Sequence, residues 1–95
     1  MTGYDIFKRV CSLLGYADFS ENPNGSATVS FWHILNQILS DLKLPEAETL
    51  SSVIEANQKQ KEAIIYGSAS LFAGSLNDIT LANTFTQLYN AKWNG

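Results

Sequence analysis

The sequence predicts a small all-α domain of four helices, near residues 3–14, 29–43, 58–75 and 78–92, with a long loop between the first two. Three observations lead there. Apolar residues recur at the 3.6-residue period of a helix in each of four windows. Each window is bounded by residues that cap or break helices. The chain has 95 residues and is 45% hydrophobic, which fits one core with no room for a second, so residues 1–95 read as a single helical domain. Charged residues are only 16%, against a usual share of about 25%. That composition excludes a disordered chain and leaves an under-charged surface of the kind a partner covers.

The first helix begins behind Thr2, whose pairing with Asp5 three residues on resembles a capping box. Ile6, Phe7, Val10, Leu13 and Leu14 form its single apolar face, and Gly15 stands where a left-handed glycine stops a helix. Periodicity then vanishes until about Thr28. Asn22-Pro23-Asn24-Gly25 is a turn signal, because proline pre-sets φ and Asn-Gly tolerates a positive φ. A short hairpin across it, with Tyr16 to Phe19 against Ala27 to Val29, is the alternative to a plain loop. The 16–28 loop carries Tyr16 and Phe19, two aromatics that must either tuck into the core or wait for a partner.

Ser26, Thr28 and Ser30 all qualify as N-cap of the second helix. Phe31, Ile34, Leu35, Ile38 and Leu42 repeat at helical spacing, and Trp32 and Leu39 widen the stripe enough to imply burial on two sides. Pro45 pushes Leu44 out of the α region and ends this helix near Lys43. Pro45 with Glu46 and Glu48 can open a short helix in the connection that follows. Ser51-Ser52 weakens that helix, while Leu50, Val53 and Ile54 pin the segment to the core. The third helix starts at Asn57 with Gln60 as the reciprocal cap. Its Ala63, Gly67, Ser70 and Gly74 share a face of small residues. Gly67 costs about 1 kcal/mol relative to alanine in mid-helix, and close packing of another helix is the usual offset. Asn77 or Asp78 caps the fourth helix, with Leu81, Phe85, Leu88 and Tyr89 inward and a frayed end from Lys92 to Gly95.

The search for chemistry is short. His33 is the only histidine and Cys11 the only cysteine. Neither stands in a nucleophile motif, so His33 reads as a surface or interface imidazole and Cys11 as a small buried hydrophobe. A lone cysteine excludes an intramolecular disulfide and suits a reducing compartment. Glu46 with Glu48, and Asp18 with Glu21, read as a helix start and a solvated loop. No His-x-x-x-His, Glu-x-x-His or phosphate-loop spacing is present, so no catalytic, metal or cofactor residue is expected, and the chain is not read as an enzyme. The net charge is −3, with basic residues only at Lys8, Arg9, Lys43, Lys59, Lys61 and Lys92. No basic stripe exists to neutralise a phosphate backbone, so sequence-specific nucleic-acid binding is not expected. The start, Met1-Thr2-Gly3-Tyr4-Asp5, has no secretory pattern. The uncharged run Ala63 to Asn77 is shorter than the roughly 20 apolar residues a bilayer takes, so no membrane is expected and the chain reads as intracellular. Two tryptophans near helix ends, Trp32 and Trp93, are candidate binding anchors as well as core fillers.

Two strings carry a resemblance. The second helix holds Ile34-Leu35-Asn36-Gln37-Ile38-Leu39-Ser40-Asp41-Leu42. The third and fourth hold Tyr66-Gly67-Ser68-Ala69-Ser70-Leu71-Phe72-Ala73, then Asp78, then Phe85-Thr86-Gln87-Leu88-Tyr89-Asn90-Ala91-Lys92. This order resembles small head–tail connector (neck adaptor, head-completion) proteins of long-tailed phages and prophages, over about half the chain. It covers an Asn in an apolar helix, a Tyr-Gly-x-Ala helix, an acidic residue after the next turn and a closing Leu-Tyr-Asn. The N-terminal third, with its Asn22 to Gly25 turn, departs from that pattern. The resemblance implies an all-helical structural subunit of a homo-oligomeric ring, between the portal protein and the tail or its stopper, that extends the DNA channel. It implies assembly in the host bacterial cytoplasm and residence in the virion neck. Interface contacts are expected from the 16–28 loop with Phe19, and from Trp32 and Trp93. The alternative from the residues alone is a small intracellular helical interaction or adaptor domain without catalytic activity.

Overall fold

The computed structural model describes residues 1–16, 19, 22 and 25–94. Four helices follow one another: α1 (Gly3–Leu14), α2 (Ser26–Asp41), α3 (Gln58–Ser75) and α4 (Ile79–Asn94). The fold is all-α, with no strand among the described residues. None of these helices is long and apolar enough to cross a membrane.

Reciprocal side-chain caps set the starts of α1 and α3. The Thr2 amide donates to Asp5 Oδ2 (2.9 Å) and the Asp5 amide to Thr2 Oγ1 (3.2 Å). Asn57 and Gln60 repeat the arrangement at 2.9 and 2.8 Å. Gly15, at φ 73°, closes α1 in the left-handed region that favours glycine.

The second helix corrects the sequence reading. It begins at Ser26, three residues before the expected 29, behind Gly25, which offers no side-chain cap. Ser26, Thr28 and Ser30 lie inside it. The buried Thr28 hydroxyl reaches back to the carbonyls of Asn22 (2.6 Å) and Phe19 (3.2 Å), tying down the preceding loop instead of capping the helix. The hairpin alternative fails because its second arm, Ala27 to Val29, is helical. Of that turn, Pro23 and Asn24 lie outside the described residues.

The short helix at Pro45 is also absent, because the Ala47 peptide is taken by side chains of α2. Asn36 Nδ2 donates to the Ala47 carbonyl (3.1 Å) and the Ala47 amide donates to Asn36 Oδ1 (2.7 Å). The Trp32 indole N–H reaches the same carbonyl at 3.0 Å. Thr49 and Ser52 then turn the chain with local side-chain bonds. The segment crosses to the N-terminus. Ile54 donates to the Met1 carbonyl (2.7 Å), Tyr4 to the Leu50 carbonyl (2.9 Å), and Thr2 pairs antiparallel with Val53. Leu50 and Ile54 are buried as expected, but Val53 points outward at 68% exposure.

Helix α3 is the centre, with buried residues around its whole circumference and α1, α2 and α4 packed on it. Phe7 of α1 stacks on Phe31 of α2 (4.3 Å between centroids), and Phe72 of α3 meets both edge-on at 5.4 and 5.7 Å. Gly67 stands where the small-residue face predicts a close approach. A Cβ there would lie 2.8 Å from Ile38 Cδ1 of α2 and 3.0 Å from the Tyr89 ring of α4. Helix α4 lies along α3, with Phe85 buried and Leu81 and Tyr89 half-buried. Leu88, expected inward, is 39% exposed.

Candidate functional site

Of the expected site residues, Trp32 and Phe19 take different positions. Trp32, on the first turns of α2, is half-buried and held by its bond to Ala47. Its outer side lines a groove of about 250 Å³ whose walls include Tyr4 of α1, Val29 of α2, and Glu48 and Leu50 of the connection. Val29 is 49% exposed there. Phe19 tucks in. Its ring is half-buried and meets Phe72 edge-on at 6.2 Å, so it covers the core's aromatic cluster. The Trp93 side chain lies outside the described residues, as do Asp18 and Glu21, read from the sequence as part of a solvated loop. Of the two aromatics the structure describes, Trp32 lines the groove while Phe19 lies on Phe72 of the core.

A second surface gathers on the far side of α1. Arg9 and Leu13 of α1 border a shallow pocket with Gln58, Glu62, Ile65 and Tyr66 of α3. Gln58 and Glu62 continue it to Lys59, Ala91 and Lys92. Lys92 Nζ meets Glu62 Oε2 at 2.7 Å, clasping the end of α4 to the start of α3. That hydrogen bond, with a weaker one from Gln58, holds the Glu62 carboxyl below its ordinary value. The same pairing raises Lys92. At the other end of the α3–α4 pair Asp78 caps α4 through the Leu81 amide (3.1 Å) and accepts from the Tyr16 hydroxyl (3.2 Å). Burial first, and the bond to Asp78 second, raise the Tyr16 phenol above its usual value.

Neither surface carries a reactive constellation. Cys11 is 1% exposed on the inner side of α1. His33 is exposed on α2, its ring tilted against Trp32 at 4.9 Å between centroids. A buried thiol and an exposed imidazole do not offer a substrate a nucleophile and base. Among the described residues no three His, Cys, Asp or Glu side chains gather to hold a metal.

Sequence reasoning named Trp32 but missed its groove, whose walls come from three separate stretches of chain. The available signal was Asn36 four residues after Trp32, two hydrogen-bonding side chains on one face of an apolar helix. Comparison with protein-family models, with curated proteins and with solved structures finds no match.

Proposed function

We propose that the chain is a structural subunit of a phage or prophage head–tail connector ring, joining portal to tail and extending the DNA channel. The observation that supports this reading is where the residues that carry the resemblance sit. Asn36 holds the connection to α2. Gly67 and Tyr89 meet at the joint of α2, α3 and α4. Asp78 caps α4 and takes Tyr16. Each stands at a joint between elements, which supports a structural role for the residues that carry the resemblance. An apolar groove and a separate basic surface, with no reactive cluster beside either, suit a part that works by repeated contacts. An acidic subunit also suits a channel through which DNA slides without being gripped.

The reading places assembly in the host bacterial cytoplasm and the finished subunit in the virion neck, against the portal and the tail or stopper. The test deletes the gene from a genome carrying portal, capsid and tail genes beside it. The expected result is filled heads that leak DNA or stay tailless, with the chain co-purifying with the portal in the parent. Infectious tailed particles from the deletion overturn the proposal. The Trp32 groove favours one second reading, a non-catalytic adaptor that takes a partner's helix between Val29 and Leu50.

A further inference from the structure

The connection between α2 and α3 forms a slot of about 180 Å³ that shares no lining residue with the Trp32 groove. Residues 44–47 and 52–55 line it. The second of these stretches is a short strand edge. Thr2 pairs antiparallel with Val53, and the Ile54 amide donates to the Met1 carbonyl (2.7 Å). Peptide groups alternate sides along such a pair, so with Ile54 turned to Met1, Val53 turns away. Within the described residues the amides and carbonyls of Glu46, Val53 and Glu55 have no hydrogen-bond partner. A free edge of this kind is a template for another extended chain. A helical partner could not answer it, because its own peptide groups are already bonded.

The slot is smaller than the roughly 300–1,000 Å³ of small-molecule sites, so it takes a side chain and not a whole ligand. Leu44, Pro45, Val53 and Ile54 offer apolar surface for a stem. Glu46 and Glu55 add two exposed carboxylates, and no basic residue is in the lining. Lysine and arginine have that make-up, an apolar stem with a cationic head that stays in water. Neighbouring charges do not supply the head. Lys43 and Glu48 stand one residue before and one after residues 44–47 and offset each other. The Met1 amino group and Lys8 act on Asp5, whose carboxyl is held below its ordinary value first by its bonds with Thr2. Neither Glu46 nor Glu55 has an ion-pair partner within the described residues.

We propose that the slot binds an extended, lysine- or arginine-bearing segment of another protein. The segment's backbone adds to the Val53 edge and its cationic side chain lies between Glu46 and Glu55. In strand addition the backbone bonds give affinity and the side-chain slot gives selectivity. Both walls are fixed before the segment arrives. Asn36 holds the Ala47 peptide through two hydrogen bonds, and Met1 holds Ile54. Binding therefore pays little for ordering the chain. The proposal does not rest on the connector reading, since an adaptor domain would use the same slot.

The test screens the full chain against an array of random heptapeptides and then follows its amide chemical shifts with the tightest binder. The expected result is one peptide position enriched in lysine or arginine. Shifts should centre on residues 44–47 and 52–55, with hydrogen exchange slowed at the Val53 amide. The double variant Glu46→Gln, Glu55→Gln should bind about three- to tenfold more weakly, the worth of two exposed ion pairs. Its melting temperature should hold, because both side chains are exposed and unpaired. N-methylation of one of the two alternating sets of peptide amides should abolish binding, a readout that needs no variant of the chain. Enrichment of peptides without a basic residue, undiminished binding to the double variant, or indifference to both methylation patterns overturns the proposal. Shifts centred on Tyr4, Val29 and Trp32, or no peptide bound at all, overturn it too. The connector reading is decided separately, by the gene deletion.

Discussion

At the scale of single residues, two glycines and one asparagine decide more than the hydrophobic stripe does. Gly67 is enclosed by Ile38 and Tyr89. Gly67→Leu is expected to destabilise by about 1–3 kcal/mol through overpacking. Gly67→Ala should fail to raise the melting temperature, although alanine alone is worth about 1 kcal/mol in a helix interior. A clear rise would mean that the Ile38 and Tyr89 side chains give way freely. Gly3 is stricter. A Cβ there would stand 2.8 Å from the Leu50 side chain and 3.0 Å from its backbone. Backbone cannot rotate aside, so Gly3→Ala should cost about 1–3 kcal/mol in a denaturant melt and loosen the groove wall beside Tyr4. Asn36→Ala removes both hydrogen bonds to the Ala47 peptide, at a cost of about 1–3 kcal/mol if its amide is left unpaired. Gly67 was legible in the sequence because a mid-helix glycine within a run of small residues needs a packing reason. Gly3 was not, since the neighbour that forbids a side chain comes from residue 50.

The same division runs through the elements. The bounds of α1 and α3 were readable because both begin with reciprocal caps within four residues of sequence. The start of α2 was not, because its cap, Gly25, has no side chain and the serines and threonine nearby are taken into the helix. The 44–56 segment was misread for a related reason. Local preference favours a turn of helix after Pro45, but the bonds that decide its path reach across eleven positions from Asn36. Helix α4 depends on its two ends. Asp78→Ala removes the cap and the Tyr16 bond together, and should cost at least the usual 1 kcal/mol or so of a lost N-cap. The Glu62–Lys92 clasp has a defined pH signature. Glu62 ionises more readily in the folded chain than in the unfolded one, because Lys92 and then Gln58 bond its carboxylate. Its contribution is therefore present above the ordinary carboxylate range and fades as pH falls through the lowered folded value. Lys92 is shifted upward, so its share is present at neutral pH and is lost only as pH rises through the raised amine value. Unfolding midpoints of wild type and Glu62→Gln should differ at neutral pH and converge in acid. A gap that persisted in acid would assign the difference to packing.

For the whole molecule, the separation between what folds the chain and what covers its surface can be read from two aromatic or apolar positions. Phe19 was expected as an interface contact of the 16–28 loop. Its ring instead lies on Phe72, beside the Phe7–Phe31 stack. Phe19→Ala should lower the melting temperature, and any failure in tail joining would follow from poorer folding. Val29 gives the opposite case. It is 49% exposed on the groove, and its amide donates to the Gly25 carbonyl at the start of the helix (3.1 Å). Val29→Asp replaces an exposed side chain near the N-terminus of α2, where an acid is tolerated, so it should leave the far-UV spectrum and melting temperature close to their wild-type values. On the connector proposal, a complementation assay of a deletion phage should still give filled heads without tails, because an apolar contact surface has been replaced by a charge that a partner would have to desolvate. The pair separates the two mechanisms. If Phe19→Ala, with its lowered stability, is the only one of the two to lose infectious particles, then stability alone limits assembly and the groove does not meet a partner. If Val29→Asp loses infectivity with its fold intact, the groove is covered in the virion.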